Sequence, residues 1–135
     1  MSLKPFSRDS IRIDQPQKLI DQICGKMKDD VFQLFKRQGV VIGLSGGIDS
    51  SVCCALAVRA FGADRVTGIL MPERDSSPES KEFALLLAQK FGVKTIVEDI
   101  SGALDGFGCY RRRDEAVRPA IPEFNPLVDK MKIGI

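Results

Sequence analysis

The chain has 135 residues, of which 44% are hydrophobic and 28% charged, and its formal net charge is +2 at pH 7. These values are typical of one globular domain and exclude a disordered chain. The net charge is too small to favour a nucleic acid or a membrane surface as a partner.

The sequence shows no targeting signal and contains no histidine. No apolar run reaches the roughly 20 residues of a membrane-spanning helix, and the polar N-terminus lacks the apolar core of a signal peptide, so a cytoplasmic location is predicted. The absence of histidine excludes His-based triads and His-ligated zinc. The four cysteines contain no C-x-x-C pair and are interpreted as reduced thiols. Any metal is therefore expected to bind to oxygen ligands.

The predicted elements begin after an N-terminal arm. Residues 1–15 are polar with no clear periodicity, and the domain is predicted to cover residues 16–135. From Pro16 to Gly39, apolar residues recur at three- and four-residue steps, which predicts a long amphipathic helix that packs on the sheet. The next stretch, from Val40 to Leu44, contains only apolar residues and glycine, without alternation. This pattern predicts a parallel strand covered on both faces.

The rest of the chain continues the alternation of helix and strand. The predicted segments are a helix from Ser51 to Phe61, a strand from Val66 to Met71, a helix from Pro78 to Phe91, a strand from Thr95 to Ile100 and a helix from Tyr110 to Val117. The core face of the helix that begins at Pro78 is predicted to comprise Leu85, Leu86, Leu87 and Phe91. Residues 131–135 are a candidate for a further strand. This order predicts right-handed βαβ units in an α/β fold, a doubly wound parallel sheet with helices on both faces.

The turn after the first predicted strand has the composition of an anion site. It reads Ser45-Gly46-Gly47-Ile48-Asp49-Ser50-Ser51. The two glycines allow backbone N–H groups to approach a ligand closely. Asp49 and Ser50 are predicted N-caps of the following helix, whose N-terminus adds positive potential. A capped turn with no ligand is the structural alternative.

Two common phosphate loops do not fit this turn. A Walker loop requires a lysine that is absent here, and the spacing of Gly43, Gly46 and Gly47 differs from G-x-G-x-x-G. Backbone donors, serine hydroxyls and the helix dipole remain, and together they favour a pyrophosphate. Asp49 would repel phosphate directly, so it is predicted to bind Mg²⁺ that bridges to the phosphate oxygens.

Two segments resemble a known family. Ser45 to Ser50 resembles the SGGxDS loop of the PP-loop ATP pyrophosphatases, and Leu70 to Ser80 is similar to the MPxxxSSxxS segment of NAD synthetases. The resemblance covers about residues 40–100 and implies a PP-loop, Rossmann-like domain with strand order 3-2-1-4-5. It also implies ATP as a bound nucleotide and Mg²⁺ at Asp49. The implied ATP-binding residues are Gly43, Leu44, Ser45, Gly46, Gly47, Ile48, Asp49, Ser50 and Met71.

The resemblance further implies a ligase reaction. The carboxylate of deamido-NAD attacks the α-phosphorus of ATP, which gives an adenylated intermediate and pyrophosphate, and ammonia then displaces AMP. No catalytic side chain is assigned in this segment. A homodimer is implied, while the source of ammonia, free or from a glutaminase domain or subunit, stays open. The alternatives are a GMP-synthesising or tRNA-modifying relative and an ATP-binding module without turnover.

Two further expectations concern the C-terminal part of the chain. The resemblance implies later strands that carry a second Mg²⁺ ligand beyond Ile135, so the sequence is expected to be the N-terminal part of a full domain. The first strand would then be an apolar sheet edge, prone to pairing with another chain. The run Arg111-Arg112-Arg113, next to Asp114 and Glu115, is interpreted as a solvated helix face rather than a phosphate site.

Overall fold

The computed structural model describes residue 7 and residues 11–129. The α-helices and strands in chain order are α1 (Pro16–Lys28), β1 (Val40–Gly43), α2 (Ile48–Phe61), β2 (Val66–Leu70), α3 (Pro78–Phe91), β3 (Lys94–Val97), α4 (Ser101–Gly106) and α5 (Cys109–Val117). A π-helical segment, Asp29–Leu34, continues α1, so the long helix predicted to reach Gly39 ends earlier. The candidate strand at 131–135 lies outside the described residues. Within the described residues, no helix combines the length and apolar character needed to span a membrane.

The three strands form one parallel sheet in the order β1-β2-β3. Val40 is paired with Val66, and Ile69 is paired with Ile96. The predicted α/β class is therefore confirmed, and consecutive strands are neighbours as βαβ units require. In the part of the chain that the structure describes, β1 has a neighbouring strand on one side only.

The core lies on one face of this sheet. Alternate residues of β2, among them Val66 and Leu70, are almost completely buried. Burial of a leucine side chain of this kind stabilises the fold by about 2 kcal/mol. Side chains of α1, α2 and α3 join the same cluster, and the buried members are Cys24, Leu44, Cys54, Ala57, Ala60, Phe61, Val66, Leu70, Ala84, Ala88 and Val93.

The opposite face of the sheet is more accessible. Val41 and Ile96, whose side chains alternate with the core-facing residues, are 67% and 47% exposed. The prediction that β1 is covered on both faces is therefore wrong for the described residues. Its continuous apolar sequence does not distinguish a strand buried on both sides from one at the edge of a sheet.

Helix α2 begins at Ile48 rather than at Ser51, and Gly47 is its N-cap. The prediction that Asp49 and Ser50 cap this helix is wrong. Gly47 has an extended backbone, and its carbonyl oxygen accepts a hydrogen bond from the Ser51 N–H at 3.2 Å. This bond closes the first helical turn before the predicted caps, so Asp49 lies inside the helix.

Helix α3 begins at Pro78 as predicted, with Ser77 as its N-cap. Its core face matches the prediction only in part. Leu87 and Phe91 pack against the core as predicted, whereas Leu86 is 63% exposed, and Ala84 and Ala88, which were not predicted, are 1% and 2% exposed. Residues four positions apart lie on the same side of a helix, and small side chains allow the helix to approach its neighbours closely. The position of a residue on the helix, and not the size of its apolar side chain, therefore determines whether it faces the core.

Candidate functional site

The turn between β1 and α2 is held by serine hydroxyls. The Ser45 and Ser50 Oγ atoms are 3.0 Å apart, and the Gly47 N–H donates to Ser45 Oγ at 3.3 Å. The Gly47 carbonyl accepts hydrogen bonds from the hydroxyls of Ser50 and Ser51, at 3.1 and 2.8 Å. These bonds fix the shape of the turn and satisfy an otherwise exposed carbonyl.

Gly46 brings this turn against the start of α3. Its φ is +80°, and a Cβ at this position would lie 2.2 Å from the Ser80 carbonyl oxygen. Such a distance is well inside van der Waals contact, so a larger residue cannot occupy the position without moving α3. The first two βα units therefore meet at Gly46, and the N-termini of α2 and α3 lie at the same edge of the sheet.

A cavity of about 190 Å³ lies at the carboxyl ends of β1 and β2. This is the edge at which parallel α/β sheets bind ligands. Its lining residues are Leu44, Ser45, Leu70, Met71, Pro72, Ser76, Ser77, Ser80 and Lys81. The predicted site residues Leu44, Ser45 and Met71 are thus brought together, and the Met71 Cε atom would be 3.7 Å from a Cβ at Gly43.

The other predicted site residues lie on the turn beside the cavity. Ile48 is 76% exposed, and Asp49 is exposed in the first turn of α2. A carboxylate in this position interacts favourably with the positive end of the helix dipole. The side chains of Ile48 and Asp49 are therefore accessible to a ligand seated on the turn.

Asp49 is suited to a partial metal site. Within the described residues, no group of three or more His, Cys, Asp or Glu side chains could hold a metal ion. Mg²⁺ commonly keeps several water ligands and binds to one or two carboxylates together with substrate phosphates. One exposed carboxylate beside a glycine turn at a helix N-terminus is compatible with that donor set.

Lys81 also lines the cavity, although no motif in the sequence assigns it to the site. It lies in the first turn of α3 and lines the cavity together with Ser45 and Ser77. Its position follows directly after the segment from Leu70 to Ser80 that carried the family resemblance. No spacing rule identified it, because the lysine of a Walker loop lies on the first helix and this one lies on the next.

The interpretation of the arginine run as a solvated helix face is wrong for Arg113. Its side chain is 21% exposed and forms ion pairs with Asp75 and Asp114. The hydrogen bond to Asp75 is the largest cause that raises the pKa of Arg113 above its usual value. Arg111 fits the prediction, because it is 68% exposed and pairs with Glu115 on the same helix. The two arginines therefore have different roles.

A glycine turn and a cavity at the carboxyl ends of parallel strands are typical of α/β domains that bind nucleotides. The chain belongs to the NAD synthase family, whose family model matches residues 19–119. It is 49% identical over 121 residues to the NH(3)-dependent NAD(+) synthetase of Rhizobium meliloti (strain 1021). The aligned region covers 90% of this chain and 36% of that protein. The chain thus spans little more than a third of the length of this relative.

Solved structures of NAD synthetases share the fold. The NH3-dependent NAD synthetase from Campylobacter jejuni subsp. jejuni NCTC 11168, in complex with the nitrate ion, matches with a TM-score of 0.62 and 35% identity, over 67% of this chain and 39% of that one. The glutamine-dependent NAD+ synthetase from Acinetobacter baumannii, in complex with adenosine diphosphate, matches with a TM-score of 0.56 and 27% identity, over 90% of this chain and 24% of that one.

Proposed function

We propose that this chain supplies the ATP-binding part of a ligase that converts deamido-NAD to NAD+ with ATP and ammonia. Membership of the NAD synthase family supports this function. The structural observation that carries it is the cavity at the ends of β1 and β2, which opens beside the turn that contains Gly46 and Asp49. Ammonia is favoured over glutamine as the direct nitrogen source, because the relative that is 49% identical is named as NH(3)-dependent.

In this proposal, the chain binds and orients ATP. The adenosine lies near Gly43, Leu44 and Met71, and the pyrophosphate lies on Ser45 to Ser50, where the α2 N-terminus favours negative charge. Lys81 adds a positive charge at the cavity wall. Asp49 would hold Mg²⁺, which when bound neutralises charge on the phosphate oxygens.

The proposed chemistry needs little proton transfer from this part of the protein. The deamido-NAD carboxylate attacks the α-phosphorus, and pyrophosphate leaves as the adenylated intermediate forms. Ammonia then attacks the activated carbonyl, and AMP leaves. Donors on the turn would stabilise the negative charge that grows on the leaving pyrophosphate, which is the stage where fixed dipoles are most effective.

Asp49→Asn tests the metal role and the ATP site together. The variant removes the negative charge while it keeps the size of the side chain, so the affinity for ATP in Mg²⁺ is expected to fall about tenfold or more, and the helical circular dichroism should be unchanged. Calorimetric titration with ATP, in Mg²⁺ and in EDTA, measures this effect. The control is Asp64→Asn, because Asp64 is an exposed acid in the turn before β2. Unchanged Mg-dependent affinity in Asp49→Asn would contradict the role of Asp49.

Product analysis tests the ligase reaction. Formation of AMP and pyrophosphate with deamido-NAD and ammonium, but not with xanthosine monophosphate or tRNA, would support the proposal against the related PP-loop reactions. The second candidate is an ATP-binding module without turnover, which is favoured by the coverage of only 36% of the R. meliloti relative. Tight Mg-ATP binding without AMP formation would support that candidate instead.

We also propose a cytoplasmic homodimer. The support for a dimer is the family resemblance together with exposed apolar residues on α2, where Ile48 and Val52 are 76% and 49% exposed. Apolar groups on an exposed helix face are common in subunit interfaces. Sedimentation velocity would give the mass of the particle, and a monomer at all concentrations would reject the dimer.

A further inference from the structure

The loop between β2 and α3 has two sides with different neighbours. Pro72, Ser76 and Ser77 line the cavity at the carboxyl ends of the strands. The intervening residues Glu73 to Asp75 instead contact α5, which follows them in sequence by more than thirty positions. One short loop therefore connects the cavity wall to α5.

Tyr110 is the α5 residue at the centre of the contact between α5 and the β2–α3 loop. It is the only tyrosine in the sequence and is 7% exposed. Its hydroxyl donates a hydrogen bond to Glu73 Oε2 at 2.9 Å, and the Arg74 guanidinium carbon lies 3.7 Å from the centre of its ring. Burial and the hydrogen bond to Glu73 raise the pKa of Tyr110, so the hydroxyl keeps its proton and acts as a donor at neutral pH. Two consecutive loop residues are thus fixed by one side chain.

Arg113, one turn further along α5, holds the third loop residue. Its Nη1 atom lies 2.5 Å from Asp75 Oδ2, and both side chains are less than a quarter exposed. A second contact to Asp114 Oδ1 at 2.8 Å fixes the orientation of the guanidinium group. A partly buried guanidinium group that pairs with two carboxylates makes stronger ion pairs than a flexible arginine on the surface.

Hydrogen bonds within the loop link the residues that contact α5 to a residue that lines the cavity. The Glu73 N–H donates to Ser76 Oγ at 3.0 Å, and the Ser76 N–H donates to the Glu73 carbonyl at 2.9 Å. Two hydrogen bonds therefore link Glu73 to Ser76, which lines the cavity. On the other side of the loop, the Pro72 carbonyl accepts a hydrogen bond from the Ile100 N–H at 3.0 Å.

We propose that α5 acts as a clamp that holds the β2–α3 loop in its ATP-binding shape, and that Tyr110 and Arg113 are positioning residues for the nucleotide. This inference rests on the proposed ATP site. Neither residue needs to touch the nucleotide. When the clamp is weakened, the loop populates other shapes, and the apparent affinity for ATP falls in proportion to the fraction of molecules that keep the binding-competent shape.

The test measures the affinity of the 135-residue chain for Mg-ATP in matched variants, at a temperature where circular dichroism shows all of them folded. Tyr110→Phe keeps the ring below Arg74 and removes only the hydroxyl, and Arg113→Ala removes the ion pair with Asp75. Each is expected to raise the dissociation constant for Mg-ATP about three- to tenfold. Arg113→Lys keeps one charged contact and should recover part of the affinity. The control is Arg111→Ala, which loses only an exposed pair within α5 and should bind as the wild-type chain does.

A double-variant comparison separates positioning from general destabilisation. If Tyr110 acts through Glu73, then Glu73→Gln should weaken ATP binding in the wild-type background and have little further effect in Tyr110→Phe. Equal dissociation constants in the folded variants and the wild-type chain would overturn the clamp. A wild-type chain that does not bind Mg-ATP would overturn the proposed function and the clamp with it, so the two failures are distinguishable.

A measurement on the wild-type chain covers the case in which the variants do not fold. Coupling between two sites is reciprocal, so Mg-ATP should strengthen the contact between the loop and α5. Trypsin cleavage after Arg74, followed by mass spectrometry, is expected to slow several-fold in saturating Mg-ATP. An unchanged cleavage rate at Arg74 in a chain that binds Mg-ATP would overturn the proposal.

Discussion

Gly46 combines a backbone conformation that favours glycine with a close contact to the next βα unit. Its φ is +80°, and a Cβ would meet the Ser80 carbonyl. Gly46→Ala should therefore lower the free energy of unfolding by about 3 kcal/mol, because left-handed strain and steric overlap add together. It should also abolish Mg-ATP binding.

Gly62→Ala is the matched control for this prediction. Gly62 has a similar φ of +83°, but its missing Cβ would meet no atom within 4 Å. Only the backbone strain remains, so the expected loss is smaller, about 2 kcal/mol. Urea unfolding of both variants gives the comparison, and equal losses would show that the contact with Ser80 contributes nothing.

The same turn shows what local sequence can and cannot predict about the site. The glycines, serines and Asp49 indicated an anion site, and the structure places Ser45 on a cavity wall. The cap of α2 was predicted incorrectly, because the choice between Gly47 and Asp49 depends on which carbonyl the serine hydroxyls bind. Such bonds form only after the turn has closed, and the types of the residues do not determine them.

Helices α1 and α2 are joined by an ion pair whose contribution should depend on pH. The Arg59 Nη2 atom donates to Asp21 Oδ1 at 2.8 Å. This bond, and then the one from Gln17, hold the pKa of Asp21 below its ordinary value of 3.8. Since the folded-state pKa is the lower one, the stabilisation is present above pH 3.8 and is lost as the pH falls through the folded-state pKa.

Asp21→Asn is therefore expected to lower the urea midpoint slightly at pH 7 and to match the wild-type chain at pH values well below 3.8. The effect should be small, because both partners are about half exposed. Arg59→Gln should show a comparable loss at pH 7. A loss that persists undiminished at low pH would mean that Asp21 acts through packing and not through its charge.

Prolines and glycines explain why the order of helices and strands could be predicted. Pro16 and Pro78 are the first residues of α1 and α3, and Gly62 and Gly92 follow the last residues of α2 and α3. These residues act on the backbone around them, so their effect can be predicted from sequence. The core face of α3 was predicted only in part: Leu87 and Phe91 pack on the core, but Ala84 was missed, because its burial depends on how closely α2 and the sheet approach it.

The contact between α5 and the β2–α3 loop had no signal in the sequence. Tyr110 and Glu73 are 37 positions apart, and Arg113 and Asp75 are 38 apart. No helical or strand period relates residues at such separations. In sequence, an arginine run beside acidic residues is the same whether it faces solvent or binds a distant loop. Arg111 and Arg113 differ only in the structure, where Arg111 is exposed and Arg113 pairs with Asp75 of the loop.

The sheet as a whole has an exposed edge at β1. In the described chain β1 pairs only with β2, and Val41 is 67% exposed. Unprotected edge strands tend to pair with other chains. The 135-residue chain is therefore expected to associate as its concentration rises, and Val41→Lys should reduce this association because a charge opposes strand addition.

Light scattering over a range of concentrations would measure this association. Leu86→Lys is a suitable control, because Leu86 is 63% exposed but lies on α3, away from the strand edge. If both variants reduce association equally, general surface hydrophobicity is responsible and not the edge of β1. If the wild-type chain stays monomeric at high concentration, the prediction of edge pairing is wrong.

The contact of Gly46 with Ser80 also has a consequence for the order of folding. Strands β1, β2 and β3 pair in the order in which they are synthesised, so the sheet can grow by local additions of one βα unit at a time. The turn of the first unit nevertheless packs against the start of α3 in the second. A chain that has formed only β1 and α2 therefore lacks the support that shapes this turn, and the proposed competence to bind nucleotide should arise only after α3 has docked.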